Sequence, residues 1–176
     1  MPLGRRHERR GEQSGGAVYY KMRQRLVSIG DDFWIEDDSG ERVYKVDGKA
    51  LRLRNTLVLE DRDGHELAKI QERLLRLKDA MEIEDGHGHR IAMVKKALIS
   101  PIRHRWKVEV SDGPELEVHG NVLDHEYTFR DGHDEVAYVS KKWFRVADTY
   151  GVEIEPGQDP VVILAATVAL DTMAHD

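Results

Sequence analysis

Between residues 33 and 139 the chain repeats one pattern of apolar and polar positions. An alternating segment is followed by a short acidic turn that contains Gly, and then by a second alternating segment. A period of two is typical of a half-buried β-strand, and Asp with Gly supplies the backbone conformations of tight hairpin loops. We therefore predict five β-hairpins, in FWIEDDSGERVYKV, TLVLEDRDGHELAKI, MEIEDGHGHRIAMV, WKVEVSDGPELEV and EYTFRDGHDEVAYV.

The hairpins recur at a nearly constant interval. In the first four, the second strand restarts three residues after the Gly, at spacings of 24, 24 and 25 residues, at Val43, Leu67, Ile91 and Leu116. In the fifth, Val136 follows Gly132 by four residues, which predicts a turn one residue longer. A constant interval indicates that similar hairpins follow one another along the chain.

Shorter strand-like pieces lie between and around the hairpins. They are RLVSI (25–29), ALRLR (50–54), LLRLK (74–78), ALIS (97–100), NVLDH (121–125), WFRVA (143–147) and YGVEIE (150–155). Each strand has one apolar and one polar face, and a sheet of about a dozen such strands leaves an apolar face and two edges exposed unless it closes. The pattern therefore predicts a mainly β protein, built as a closed antiparallel barrel of about twelve strands.

The C-terminal stretch from Asp159 breaks the alternation. Asp159 offers an acceptor at a helix cap, and Pro160 suits the first helical position. The following run is apolar on every side except Thr167 and ends at Asp171 after about 11 residues, whereas a membrane span needs about 20. We predict a core helix over 159–174 that fills the barrel, with a thirteenth buried strand as the alternative, because short apolar runs are ambiguous.

Four parts of the sequence carry a resemblance to a known family. They are RLVSIGDDFWIEDDSGERVYKVDGKAL, DHEYTF, SKKWFRVADTYGVEI and the closing apolar helix. Together they span about residues 22–174 and resemble the LURP-one-related family, in the tubby C-terminal-domain-like group that includes the phospholipid scramblases. The resemblance implies a tubby-like closed barrel of twelve strands around a central C-terminal helix, and no catalytic residues. Relatives include phosphoinositide-binding modules, lipid scramblases and plant defence proteins, so the fold is a weak guide to function.

Composition adds a basic leader to this picture. The formal net charge is −6 over 176 residues, but the first sixteen residues contain Arg5, Arg6, Arg9 and Arg10 against Glu8 and Glu12. We predict a flexible basic leader over 1–17, with electrostatic contact to anionic lipid or nucleic acid as the alternative, and a single barrel domain over 18–176. The acidic remainder argues against a DNA-binding domain, and no nucleic-acid partner is expected.

Composition and the leader sequence also indicate the cellular compartment. The chain has no cysteine, which excludes a disulfide framework and thiolate zinc sites. The leader lacks the apolar run of a secretory signal. We expect a cytoplasmic protein, peripheral at a membrane rather than integral.

Basic residues form the candidate binding site. The candidates for contact with an anion or a lipid headgroup are Lys95, Lys96, Arg103, His104, Arg105, Lys141 and Lys142. Adjacent residues of a strand point to opposite sides, so Lys95 and Lys96 serve one patch only if the strand bends. The alternative is a solvated outer face of charged residues.

The sequence contains few signals of metal binding or catalysis. The acidic turns do not match the twelve-position calcium loop, and His87 with His89 provides two ligands at most, so we expect no metal site and no cofactor. Gly-rich phosphate loops and nucleophile elbows are missing from the sequence. We predict a non-enzymatic module that binds anionic phospholipid, phosphoinositide or a membrane-proximal partner. The alternatives are a protein-interaction or structural module and, third, an enzyme, which would need a deep polar pocket.

Overall fold

The computed structural model describes residues 16–23, 32–48, 56–72, 79–100, 103–144 and 149–175, with the backbone alone at 23, 97–100 and 103–104. Its elements are β1 (Val18–Arg23), β2 (Phe33–Asp37), β3 (Arg42–Asp47), β4 (Thr56–Asp61), β5 (Glu66–Glu72), β6 (Ala80–Asp85), β7 (Arg90–Ser100), β8 (Arg103–Val110), β9 (Glu115–Asn121), β10 (Glu126–Asp131), β11 (Asp134–Ser140), β12 (Thr149–Ile154) and α1 (Pro160–His175).

The twelve strands form a closed antiparallel barrel, which confirms the predicted fold. Each strand pairs with its neighbours in sequence, and β1 also pairs with β12, from Val18 opposite Ile154 to Arg23 opposite Thr149. Because neighbouring strands alternate in direction, all five hairpin turns lie at one end of the barrel, which we call the hairpin end. The remaining connections between strands lie at the opposite end, which we call the linking end. Closure leaves no strand edge unpaired.

Three hairpin turns share one hydrogen-bonding design. In the second, Oδ1 of Asp61 accepts hydrogen bonds from the backbone N–H groups of Asp63 and His65, each at 2.9 Å. The carboxylates of Asp37 and Asp85 accept the equivalent bonds from the residues two and four positions further on. Gly64 has a φ of +85°, a conformation that residues with a side chain rarely adopt. The 24-residue interval therefore reflects one turn structure used repeatedly.

The fifth turn differs from its prediction. Only Gly132 and His133 separate β10 from β11, whereas four residues separate β2 from β3. The prediction of a longer turn is wrong, because Gly132 opens its turn while the Gly of the other hairpins is the third residue. The additional residue before Val136 belongs to the strand.

The shorter strand-like pieces give mixed outcomes. Residues 97–100 end β7 and residues 150–154 lie in β12, as predicted, whereas residues 122–125 form a turn and the predicted strand there is wrong. His125 has a φ of 50°, which is incompatible with an extended strand. Strand β1 was not predicted. In the piece at 143–147, residues 143 and 144 are not part of a strand, so that part of the prediction is wrong. The pieces at 25–29, 50–54 and 74–78, residues 145–147 and most of the predicted leader lie outside the described residues.

Helix α1 runs through the barrel from the hairpin end to the linking end. Oδ1 of Asp159 accepts a hydrogen bond from the N–H of Val161 at 2.9 Å, which confirms the predicted cap. Every residue from Val162 to Thr172 is buried, so the barrel wall covers all sides of the helix. This confirms the central helix and excludes a thirteenth strand. Among the described residues, no helix combines the length and the apolar character needed to cross a membrane.

Candidate functional site

The predicted anion-binding residues lie in the middle or at the linking end of their strands. Lys95 and Lys96 are on β7, Arg103, His104 and Arg105 begin β8, and Lys141 and Lys142 follow β11. Strands β9 and β10 separate the two groups, by about 14 Å at the usual spacing of neighbouring strands. The residues share one side of the barrel axis but do not form one continuous patch.

The described side chains of these candidates differ in what they contact. Nζ of Lys95 lies 2.7 Å from Glu109 Oε1 on the outer face. Lys96 has the opposite orientation and lies 5.2 Å from the centre of the Trp106 ring. Arg105 is exposed, and Lys142 is 56% exposed with Nζ 3.9 Å from Glu126 Oε1. The side chains of Arg103 and His104 lie outside the described residues. Arg105 and Lys142 are therefore the candidates best placed to meet an external anion.

The sequence and the strand order together predict an uneven distribution of charge along the barrel axis. The hairpin turns contain four Asp or Glu and one Arg, over 38–41, 62–65, 86–89, 111–114 and 132–133. The stretches that join strands across the linking end contain ten Lys or Arg and five Asp, over 24–32, 48–55, 73–79, 101–102, 122–125 and 141–148. Eight of these ten basic residues lie outside the described residues, so the basic character of the linking end is a prediction from the sequence.

A buried polar cluster ties α1 to the barrel at the linking end. Nε2 of His125, in the connection between β9 and β10, lies 2.6 Å from Asp171 Oδ1, and both side chains are almost fully buried. Nδ1 of His175 lies 3.2 Å from the same oxygen, and the His125 ring stacks on Tyr150 with 4.3 Å between ring centres. Burial raises the pKa of Tyr150, and the Asp171 charge raises that pKa further.

This cluster has the residue types of an acid–base site but not the access. His125 is 0% exposed, and its Nδ1 has no hydrogen-bond partner among the described residues. A substrate on the outer surface would not reach it. We interpret the His125–Asp171 pair as a structural connection between the helix and the barrel wall.

A second feature lies on the outer wall, where residues 141–144 fold over β12. Gly151 permits this approach, because a Cβ atom at that position would lie 2.3 Å from Cε3 of Trp143. The N–H of Lys142 donates to Ser140 Oγ at 3.1 Å, and Ser140 Oγ donates to Glu126 Oε2 at 2.9 Å. All six residues of β12 are buried, so the strand is covered on its outer face as well as its inner one.

Between residues 141–144 and the hairpin end lies an external groove of about 370 Å³. Its walls are formed by β1, by β2 with its following turn, and by residues 143–144. The lining residues are Tyr19, Tyr20, Lys21, Glu36, Asp37, Asp38, Ser39, Gly40, Trp143 and Phe144. The rings of Tyr19 and Trp143 meet at 74° with 6.0 Å between their centres. We call this feature the aromatic groove.

The charge of the aromatic groove is opposite to that of the linking end. Three carboxylates and one ammonium line it. Nζ of Lys21 lies 2.8 Å from Glu36 Oε2, and the Ser39 hydroxyl donates to Asp37 Oδ1 at 2.7 Å. That hydrogen bond lowers the pKa of Asp37, with the backbone bonds from Glu41 and Ser39 acting in the same direction. The sequence did not indicate this groove, since Tyr19 and Trp143 are distant in the chain and belong to no recognisable motif.

We expect Gly151→Ala to displace residues 141–144. The added methyl group would overlap the Trp143 ring, and such overpacking typically costs about 1–3 kcal/mol. The free energy of unfolding should fall by that amount, and the ¹⁹F line of 5-fluorotryptophan at position 143 should move. In a Trp143→Ala background the same substitution should cost less, because the closest overlapping ring is gone and only Phe144 Cε2, 3.0 Å from the added Cβ, remains near. Equal costs in both backgrounds would contradict this packing.

The acidic turns support a structural interpretation rather than a metal site. Among the described residues, Asp61, Asp63 and His65 form the one group of three that could hold an ion, with ligand atoms within 4.8 Å of one another. The Asp61 carboxylate already accepts two backbone N–H bonds, and its other oxygen lies 3.0 Å from His65 Nδ1. Those bonds close the turn.

The described residues define a class of protein, a closed β-barrel with a helix through its centre. A family model described as LURP-one-related matches residues 18–171, and the chain belongs to that family.

A solved structure supports the same fold. The X-ray structure of a protein from Arabidopsis thaliana superposes with a TM-score of 0.67 at 20% sequence identity, covering 90% of this chain and 92% of that chain. At that identity the likeness concerns the fold alone. Comparison with curated proteins found no match.

Proposed function

We propose that the protein is a non-enzymatic barrel that binds anionic phospholipid surfaces through its linking end. The proposal is carried by the sequence together with the strand order: the segments that connect strands at the linking end contain ten Lys or Arg against five Asp, and eight of these basic residues lie outside the described residues. A membrane surface rich in anionic lipid attracts Lys and Arg, each contributing about 1 kcal/mol when it lies near the surface. It repels the acidic hairpin turns. The electrostatic field of the membrane surface would therefore bind the barrel and orient it with the linking end toward the lipid.

The spacing of the basic residues suits a surface better than a single small anion. Arg105 is exposed on β8 and Lys142 is exposed just after β11, and β9 and β10 separate these strands, so one phosphate group would not span both residues. A lipid bilayer presents many headgroups over that distance. This favours an extended anionic surface over a pocket for one headgroup, and supports the proposal that the protein acts at the periphery of a membrane.

Vesicle co-sedimentation tests the proposal. The protein should bind vesicles that contain phosphatidylserine and release them as ionic strength rises, because salt screens exposed charges. The double substitution Arg105→Glu with Lys142→Glu should weaken binding by about tenfold or more, given about 1 kcal/mol per basic residue. Neutral phosphatidylcholine vesicles should bind far less.

A matched control uses the same charge reversal at the opposite end. Arg62 is an exposed residue of the second hairpin turn, so Arg62→Glu should leave vesicle binding unchanged. Arg105→Glu alone and Lys142→Glu alone should each weaken vesicle binding more than Arg62→Glu does. If all three single substitutions weakened binding equally, binding would depend on net charge alone, and the proposed orientation would be wrong. An absence of binding to anionic vesicles at low salt would remove the proposal and favour a protein partner.

A further inference from the structure

An exposed apolar side chain lies at the linking end of the barrel. Among the described residues, the large hydrophobic side chains that are exposed are Leu123, at 57%, and Val18, at 41%. Leu123 belongs to the turn between β9 and β10 at the linking end, whereas Val18 begins β1 at the hairpin end. Single exposed apolar residues are common on protein surfaces, so exposure alone assigns no role to Leu123. The structure of its turn and its charged neighbours are the relevant observations.

The turn between β9 and β10 holds Leu123 outward without using it for folding. Val122 and His125 on either side are buried, and the His125 ring is bonded to the central helix. The Asn121 side chain closes the turn, since its Nδ2 donates to Asp124 Oδ2 at 2.6 Å and its Oδ1 accepts from the Asp124 N–H at 3.2 Å. These contacts attach the turn to the barrel on both sides of Leu123, so the backbone keeps this side chain at the surface.

Exposed basic residues flank this turn along the rim of the barrel. Arg105 is exposed on β8, which is next to β9, and Lys142 is exposed just after β11, which is next to β10. Nζ of Lys142 lies 3.9 Å from Oε1 of Glu126, the residue that directly follows the turn. At the usual spacing of neighbouring strands, β8 and β11 each lie about 5–10 Å from the turn. Leu123 therefore projects between two cations.

The interface of an anionic bilayer accommodates this combination. An apolar side chain that passes the phosphate layer leaves water, which is favourable, while Lys and Arg keep their charges at the level of the phosphates. A protein partner would need an apolar pocket with an acidic rim of matching shape, whereas a fluid bilayer adapts to the tip of a turn. Asp124 is unfavourable for such a contact, and its hydrogen bond to Asn121 partly offsets its charge.

We propose that Leu123 inserts into the interface of an anionic membrane, while Arg105 and Lys142 contact lipid phosphates on either side of it. The inference rests on the proposed membrane binding of the linking end. It adds a point of insertion, which electrostatic attraction alone does not require. Salt screens the contacts of Arg105 and Lys142 but not the burial of an apolar side chain, so the contribution of Leu123 should persist as ionic strength rises.

A fluorescent label on the turn tests insertion directly. The full chain has no cysteine, so Leu123→Cys introduces a single thiol that can be labelled with the environment-sensitive fluorophore NBD. Vesicles of phosphatidylserine and phosphatidylcholine should raise its emission and shift it to shorter wavelength, because the fluorophore leaves water. Lipids with a nitroxide on the acyl chain should quench it. Val18→Cys, labelled in the same way at the hairpin end, is the control and should show neither change.

Substitutions measure the contribution of the side chain without a label. Leu123→Ser should weaken binding to these vesicles by about tenfold and leave thermal unfolding unchanged, because the side chain is exposed. Leu123→Phe retains an apolar side chain and should retain binding, and Val18→Ser should bind like the unchanged protein. The tenfold ratio for Leu123→Ser should persist as salt is added, whereas the loss caused by Arg105→Glu with Lys142→Glu should shrink.

The outcomes separate this inference from the proposed function. If the protein binds the vesicles but the label at Leu123 does not respond, insertion is wrong and electrostatic binding stands. Equal effects of Leu123→Ser and Val18→Ser, or a loss for Leu123→Ser that disappears in salt, would also overturn insertion and leave the electrostatic binding in place. An absence of co-sedimentation with anionic vesicles at low salt would remove both proposals.

Discussion

Deleting residues 161–176 is expected to abolish cooperative folding. The deletion removes the buried part of α1 and leaves the apolar inner face of twelve strands around an empty centre. Burial of one Val, Leu or Ile side chain contributes about 1.5–3 kcal/mol, and a domain is stable by only about 5–15 kcal/mol in total. Loss of Val162, Ile163, Leu164, Val168 and Leu170 together therefore exceeds the available stability.

Circular dichroism and thermal unfolding measure this outcome. The shortened chain should show no cooperative transition, and its apolar surface should bind a hydrophobic dye. Deletion of residues 1–15 is the control, since no described strand or helix includes them and the barrel should unfold at nearly the same temperature. A cooperative transition in the chain that lacks 161–176 would show that the barrel is stable without its helix.

Asp171→Ala is expected to destabilise the protein by about 3–5 kcal/mol, the usual cost of removing one partner from a buried pair. His125 is buried beside it, and the substitution would leave both ring nitrogens of His125 without a protein partner among the described residues. Asp171→Asn retains the size of the side chain and one acceptor oxygen. It should cost less, about 1–2 kcal/mol.

Chemical denaturation of the unchanged protein, Asp171→Ala and Asp171→Asn measures these losses of stability. The exposed Asp112, in the fourth hairpin turn, provides the control, because Asp112→Ala should change stability by no more than about 0.5 kcal/mol. In a double-mutant cycle, His125→Ala and Asp171→Ala should be strongly non-additive. If Asp171→Ala behaved like Asp112→Ala, the pair would not hold the helix in place.

Much of the fold could be predicted because it depends on local patterns. The period of two and the Asp–Gly turns indicated the hairpins, and the all-apolar run after Asp159 indicated a buried helix. Strand β1 shows the same alternation, with Tyr20 and Met22 buried. It was missed because its partners, β12 and β2, are not joined to it by a short turn.

Residues 121–125 illustrate the limit of local patterns. Val122 and Leu123 suggest a strand, but His125 adopts a positive φ, and the neighbouring turn is closed by a hydrogen bond from the Asn121 side chain to Asp124 at 2.6 Å. Asp171, which holds His125, is 46 positions away in the sequence. No local pattern reports such a contact.

The candidate sites were less predictable, because they depend on register and on packing between distant segments. The opposite orientations of Lys95 and Lys96 followed from strand geometry alone. The pairing of Lys95 with Glu109 required the register of β7 against β8. The aromatic groove required Trp143 to lie over Gly151, and only a structure shows that a glycine is needed there because a ring covers it.

The order of elements along the chain has a consequence for biosynthesis. Helix α1 follows all twelve strands, so a ribosome completes the whole inner wall before it makes the segment that fills it. The closing pair, β1 with β12, also joins elements from opposite ends of the barrel sequence. Until α1 emerges, the nascent chain exposes an apolar strand surface, the kind of intermediate that aggregates or recruits chaperones. Premature termination in the last part of the message would therefore yield a species for degradation rather than a smaller working barrel.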